Sequence, residues 1–256
     1  MTLSLMKWLV LGCMMLLATG CASTSQTSND GIYNESAVTA RARAHSDLAA
    51  AYLQQNKYEI ALAEFSEATK IDPNYSPAYN GLGLVYAALG EDAKADAYFI
   101  KSIQVQPDSS EAHNNYGSFL CARKRYDESI PHFLAAVKNP LYPTPNLAYA
   151  NAGICSVRKG DTKNAELYLN KALQIQPLTY SAAYQLADIQ FNRGDAKTAK
   201  NTLQNVLLGA PSAESLWLAI KIERVLGGRD NEASYALQLR QQHPNSEQTR
   251  LLLSGQ

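Results

Sequence analysis

Charge of one sign is missing from this chain. Its 256 residues carry 23 Lys+Arg against 23 Asp+Glu, and no polybasic run breaks the balance. Nucleic-acid binding rests on a basic footprint, so this composition argues against nucleic acid as a partner. Histidine and cysteine are scarce, with four of each. No H-x-x-x-H, G-x-S-x-G, Gly-rich phosphate loop, paired-carboxylate site or C-x-x-C occurs. We therefore expect no enzyme: no catalytic residue, no metal site and no small-molecule substrate. Strand-like alternation of apolar and polar residues is missing too, which leaves an all-α fold.

Long apolar runs are absent except at the start. Lys7 precedes the apolar stretch from Trp8 to Leu17, which leads into Ala18-Thr19-Gly20-Cys21. A basic residue, a short apolar core and a small-residue site make residues 1–20 a secretory signal peptide. The run is too short for a comfortable membrane span. LATGC resembles a bacterial lipobox. That resemblance implies acyl and diacylglyceryl chains on Cys21, the first mature residue, and no other cofactor. Ala22, in place of Asp, is similar to the default that sends such lipoproteins to the outer membrane, anchored on its periplasmic face. The alternative is an ordinary signal peptide with an incidental Cys21, and Met6 could equally be the true start. Residues 21–40 are rich in Ser, Thr, Asn and Gln and read as the lipidated Cys and a flexible tether. Such a tether averages ~20–25 Å end to end.

The best-patterned stretch is Ser76–Pro107. Tyr79, Leu82, Gly83 and Tyr86 stand at i, i+3, i+4 and i+7, on one helix face. Ala95 and Phe99 share a face of a second helix, Leu89-Gly90 ends the first, and Pro107 stops the second. This spacing resembles the tetratricopeptide repeat. Proline recurs 34 residues apart at Pro73 and Pro107 and again at Pro177 and Pro211. Six copies fit, at about 42–75, 76–109, 110–145, 146–179, 180–213 and 214–245, with a capping helix in 246–256. Residues 41–256 are thus read as a right-handed solenoid of six helix–turn–helix repeats. Leu251, Leu252 and Leu253 should cover its open end.

Two copies depart from the pattern. Repeat three exits through Asn139-Pro140-Leu141-Tyr142-Pro143-Thr144-Pro145, whose prolines predict an extended knuckle, and repeat four starts two residues late. Repeat six carries Trp217, Ile220, Ala233 and Leu237 at consensus positions, but Pro244 comes one residue early. His45 and His113 fall where the consensus has a packing aromatic, and His132 and His243 stand alone.

In this architecture the first helix of each repeat lines the concave face. The expected partner-binding groove includes Asn80, Leu84, Ala87, Asn114, Ser118, Ile154 and Tyr184, and in repeat six Ser215, Leu218, Ile222 and Val225. It is mostly apolar, and Asn80 and Asn114 could hydrogen-bond a guest backbone. An apolar or amphipathic segment is the expected guest. Cys121 and Cys155 end adjacent first helices in what should be an oxidising compartment, so they are a candidate disulfide. Two buried thiols are the alternative.

The lipobox, the repeats, the Cys pair and the segment NNYGSFLCARKRYDESIPHFLAAVKNPLYPTPNLAYANAGIC together resemble the PilF/PilW family of type IV pilus biogenesis lipoproteins. The resemblance implies a pilotin. Its partner would be the pilus secretin subunit, whose insertion and multimer assembly in the outer membrane it would promote, with Asn80, Leu84, Ala87 and Asn114 toward that partner. A general periplasmic scaffold, for cell-wall hydrolases or outer-membrane barrel assembly, is the alternative.

Overall fold

A computed structural model describes residues 35–209 and 211–255. The expected signal peptide, Cys21 and most of the stretch expected to be a tether lie outside the described residues. Within them stand thirteen helices and no strand. Six helical hairpins follow one another: α1 (Ala37–Gln54) with α2 (Tyr58–Ile71), α3 (Ser76–Ala88) with α4 (Asp92–Val105), and α5 (Ser110–Ala122) with α6 (Tyr126–Ala136). Then come α7 (Pro145–Lys159) with α8 (Thr162–Ile175), α9 (Tyr180–Asn192) with α10 (Ala196–Leu208), and α11 (Ala213–Leu226) with α12 (Arg229–Gln242). A short α13 (Glu247–Leu253) closes the series.

Each hairpin turns through one residue with a left-handed backbone. These are Asn56, Gly90, Lys124, Gly160, Gly194 and Gly227, with φ between 57° and 91°. Glycine relieves the clash that Cβ makes there; Lys124 carries it at φ 63°. The two helices then meet through a small residue set against a large one. A Cβ added to Gly83 would lie 2.8 Å from the Phe99 ring, one on Gly117 2.9 Å from Phe133, and one on Gly153 2.6 Å from Leu169. Phe99 and Leu169 are wholly buried, as are the helix-facing Ala95 and Ala165. One hairpin leaves its other flank apolar, and the next hairpin covers it: Phe65 of α2 packs with Ala78, Leu82 and Val85 of α3.

Successive odd-numbered helices touch one another, whereas no even-numbered helix reaches the next even one. A stack that is tight on one side and open on the other curves toward the tight side. The odd helices α1 to α11 therefore line the inner arc.

Four details differ from the expectation. The first helix begins at Ala37, four residues into the stretch read as tether, because Ser36 caps it by accepting from the Thr39 amide at 3.0 Å. The proline-rich exit of repeat three is a hydrogen-bonded turn. Asn139 Oδ1 accepts from the Leu141 amide at 2.9 Å, its carbonyl accepts from the Tyr142 amide at 3.1 Å, and Tyr142 is buried. A residue is lost ahead of repeat six: left-handed positions recur at 34 or 36 residues until Gly194, then at 33 to reach Gly227, and α11 starts 17 residues after α10 where α5 starts 18 after α4 and α9 18 after α8. The inward face of α12 slips accordingly, so Ala233 and Leu237 are exposed while Tyr235, Ala236 and Leu239 pack inward. Of the three terminal leucines, only Leu252 joins that cluster. The rest of the end is sealed by Thr249, whose hydroxyl donates to the His243 carbonyl at 2.7 Å.

Candidate functional site

The inner face is half-covered rather than filled through repeats two to five. Leu84, Ala87, Asn114, Ile154 and Tyr184 are each partly exposed, Ser118 is exposed, and Asn80 is 9% exposed. Repeat six behaves differently. Ser215, Leu218 and Ile222 are buried, and the latter two pack with Ala183, Ala187, Leu203 and Val206 of repeat five. This corrects their placement in the groove, which closes at α11. The reason is the altered register: counted back from the left-handed Gly227, Trp217, Lys221 and Arg224 stand where Asn80, Leu84 and Ala87 stand before Gly90, so Leu218 and Ile222 turn toward repeat five. Val225 is left outside, 65% exposed.

The asparagines are arranged in a ladder across the inner helices. Asn115 Nδ2 of α5 donates to Asn80 Oδ1 of α3 at 3.3 Å. Asn151 Nδ2 of α7 donates to Asn114 Oδ1 of α5 at 3.1 Å. Each of these two oxygens thus takes one hydrogen bond from the following repeat, and the side chains of Asn80 and Asn114 meet a guest chiefly through their amide donors. Asn115 and Asn151 escaped the sequence reading because their importance lies in the stacking of one repeat on the next. Ser118 donates to the Asn114 carbonyl at 2.9 Å, which ties its hydroxyl to its own helix.

Between α5 and α7 a hollow of about 170 Å³ opens, lined by Ser118, Cys121, Phe133, Asn151, Ile154 and Arg158. That is comparable with the ~150 Å³ of a cavity that takes up benzene. One of its lining residues is half of a disulfide: Cys121 and Cys155 are joined, with their Cα atoms 5.9 Å apart. The bond fixes the spacing of the two helices that flank the hollow. Further along, burial and the nearby Asp188 carboxylate push the Tyr184 phenol above its ordinary range, so it faces a guest as a neutral hydroxyl.

Charge gathers along the hairpin turns, outside the groove. Arg123 grips Asp92 with two nitrogens at 2.8 and 2.6 Å, and Arg125 reaches Asp96 at 2.9 Å. Arg193 meets Glu166 at 2.7 Å, and Lys159 pairs with Asp127. Each pair joins one repeat to the next. Behind them, His113 and His132 approach ring to ring, Nδ1 to Nδ1 at 2.8 Å, and the other nitrogen of His113 lies 3.0 Å from the Pro107 carbonyl. His113 keeps its expected packing role, and His132 turns out to be its partner.

Tetratricopeptide-repeat family models match residues 49–90, 76–109 with 148–177, 93–146 and 181–212. The type IV pilus assembly protein PilF of Pseudomonas aeruginosa is 31% identical over 204 residues, 79% of this chain and 81% of that protein. The crystal structure of PilW, a widely conserved type IV pilus biogenesis factor, is 33% identical, with a TM-score of 0.72 over 83% of this chain and 98% of that one. This chain belongs to the PilF/PilW family. The solved P. aeruginosa PilF is 28% identical and superposes with a TM-score of 0.79 across 86% of this chain and all of that one. The likeness to PilF and PilW thus covers about four-fifths of this chain or more. A peptide-binding tetratricopeptide protein, YrrB, is 16% identical with a TM-score of 0.56 and shares the fold alone.

Proposed function

We propose that this protein is a lipid-anchored adaptor of type IV pilus biogenesis. It binds a secretin subunit through the inner groove and promotes assembly of the secretin multimer in the outer membrane. The observation that supports this reading is an unfilled, mostly apolar inner face in a PilF/PilW chain. Leu84, Ala87, Ile154 and Tyr184 supply apolar contact, and the amides of Asn80 and Asn114 supply backbone donors. A secretin segment that is apolar on one side would be kept from aggregating while it occupies the groove. Acylation of Cys21 would address the complex to the inner leaflet of the outer membrane. Tethering then raises the local concentration of subunit at the place of insertion, as for any linked pair.

The reading is tested by deleting the gene and examining secretin multimers on a denaturing gel without heat dissociation. Multimers should be lost or should remain at the wrong membrane, and unchanged multimers in the outer membrane refute the adaptor role. A photo-crosslinking residue at Leu84 should capture the secretin, while the same residue at the exposed Leu237 of α12 should not. Cys21→Ala should release the protein from the outer membrane.

A further inference from the structure

The two edges of the solenoid differ in kind. One carries the turns inside each hairpin, the other the loops between hairpins. The hairpin turns hold Lys57, Glu91, Arg123, Lys124, Arg125, Asp161, Arg193 and Asp195. From repeat three onward the loops between hairpins, residues 137–144, 176–179, 209–212 and 243–246, contain a single charged residue, the exposed Lys138. Instead three of them display a leucine: Leu141 is 85% exposed, Leu178 54%, and Leu208, where α10 runs into its loop, 78%. Leu147, Ile175 and Tyr180 extend the apolar rim at the neighbouring helix ends, each more than two-fifths exposed.

The exposure is built in. At Leu141 the Asn139 turn and the burial of Tyr142 point the leucine outward. At Leu178 the Thr179 amide closes a turn on the Gln176 carbonyl at 3.0 Å. Thr179 itself is buried, its hydroxyl accepting from Asn146 Nδ2 at 3.0 Å. Apolar side chains held in water along one edge mark an interaction surface.

Connectivity identifies the occupant. Hairpins alternate in direction, so the N-terminus of every odd helix lies on the loop edge, α1 included. The chain from Cys21 enters α1 there, after the 15 residues 22–36, which span at most about 50 Å. An anchor on Cys21 thus draws the solenoid toward the bilayer from the very edge that displays the leucines. The charged turns lie a helix length away, ~20 Å.

We infer that the loop edge of repeats three to six rests on a lipid surface, with Leu141, Leu178 and Leu208 reaching into the headgroup region. This rests on the reading in which Cys21 is acylated. Apolar loops at a membrane cost little when they bring little charge with them, and these bring one lysine, Lys138, at the start of the first loop. The contact would orient the solenoid with its axis along the bilayer instead of leaving it free on its tether.

The test uses the full-length protein extracted from membranes, with its N-terminal acylation read by mass spectrometry. It is reconstituted in phosphatidylethanolamine–phosphatidylglycerol vesicles containing brominated lipid. Leu141→Trp, Leu178→Trp and Leu208→Trp are compared with Leu89→Trp on the turn edge, after subtraction of the parent signal from Trp217. The three loop-edge tryptophans should be quenched at least threefold more than Leu89→Trp. Equal or no quenching in acylated, vesicle-bound protein overturns the inference and leaves the anchor standing. Quenching by protein that lacks acyl chains upholds the inference and removes the anchor. Loop-edge tryptophans already shielded without vesicles, in a dimer or by a bound secretin segment, overturn it as well.

Discussion

Glu223 of α11 has a side chain only 2% exposed, and its carboxylate meets Lys200 of α10 at 2.9 Å. The pair sits beside a hollow of about 290 Å³ that Leu203, Leu207, Ile222 and Tyr235 also line. It is the one charged link that passes through the interior between repeats five and six, among the described residues. Glu223 is closed off further by Gly228, whose absent Cβ would fall within contact of Oε2.

Removing one partner strands the other. Lys200→Met leaves an unpaired buried carboxylate and should cost on the order of 3 kcal/mol, at the lower end because Lys200 is itself 44% exposed. Adding Glu223→Gln should recover most of that loss, since a neutral amide needs no counter-charge. Urea unfolding of the single and double variants checks this. A neutral effect of Lys200→Met would mean that water reaches Glu223.

Gly83 admits no side chain. Gly83→Ala places a methyl 2.8 Å from the wholly buried Phe99 ring, and should cost ~1–3 kcal/mol through overpacking. Ser118→Ala on the exposed inner face should move the midpoint by less than about 0.5 kcal/mol. Equal midpoints for the two variants would contradict the packing described here.

Lys124 is the strained turn. It holds φ 63° where four of the other five repeats use Gly and one uses Asn. Lys124→Gly should raise the thermal midpoint, with a gain of ~0.5–1 kcal/mol after the added freedom of the unfolded chain is subtracted. A lowered midpoint would show that the lysine stem contributes packing that outweighs the strain.

The His113–His132 pair makes the third repeat sensitive to acid. Burial, and then the neighbouring His113, hold the His132 imidazole below its ordinary range, with Glu128 opposing weakly. A depressed histidine binds its proton later in the folded than in the unfolded chain. Stability is therefore full above the ordinary histidine range and falls as pH drops through it toward the folded value. The denaturation midpoint should decline from pH 7.5 to 5.5, and His132→Asn should flatten that decline. A slope unchanged by the substitution assigns the effect elsewhere.

Much of this fold was legible in order of residues alone. Aromatic, Gly, Ala, Phe and Pro at a spacing of 34 specify a hairpin that cannot bury both flanks, and recurrence supplies the neighbour. Local chemistry sufficed for that, because each consensus pair, such as Gly83 with Phe99, lies within one hairpin. The candidate pairing of Cys121 with Cys155 crosses two hairpins and was legible for a different reason, that the repeat itself sets them 34 residues apart near the ends of successive first helices. What the order of residues could not supply was anything decided by how one hairpin seats on the next. The Asn80–Asn115 and Asn114–Asn151 bridges, the closure of the groove at Leu218 and Ile222, and the sealing of Glu223 against Lys200 all depend on relative rotation of helices far apart in the chain. So does the loop edge: Leu141, Leu178 and Leu208 look like scattered apolar residues in a string. Only the alternating direction of the helices brings them to one side.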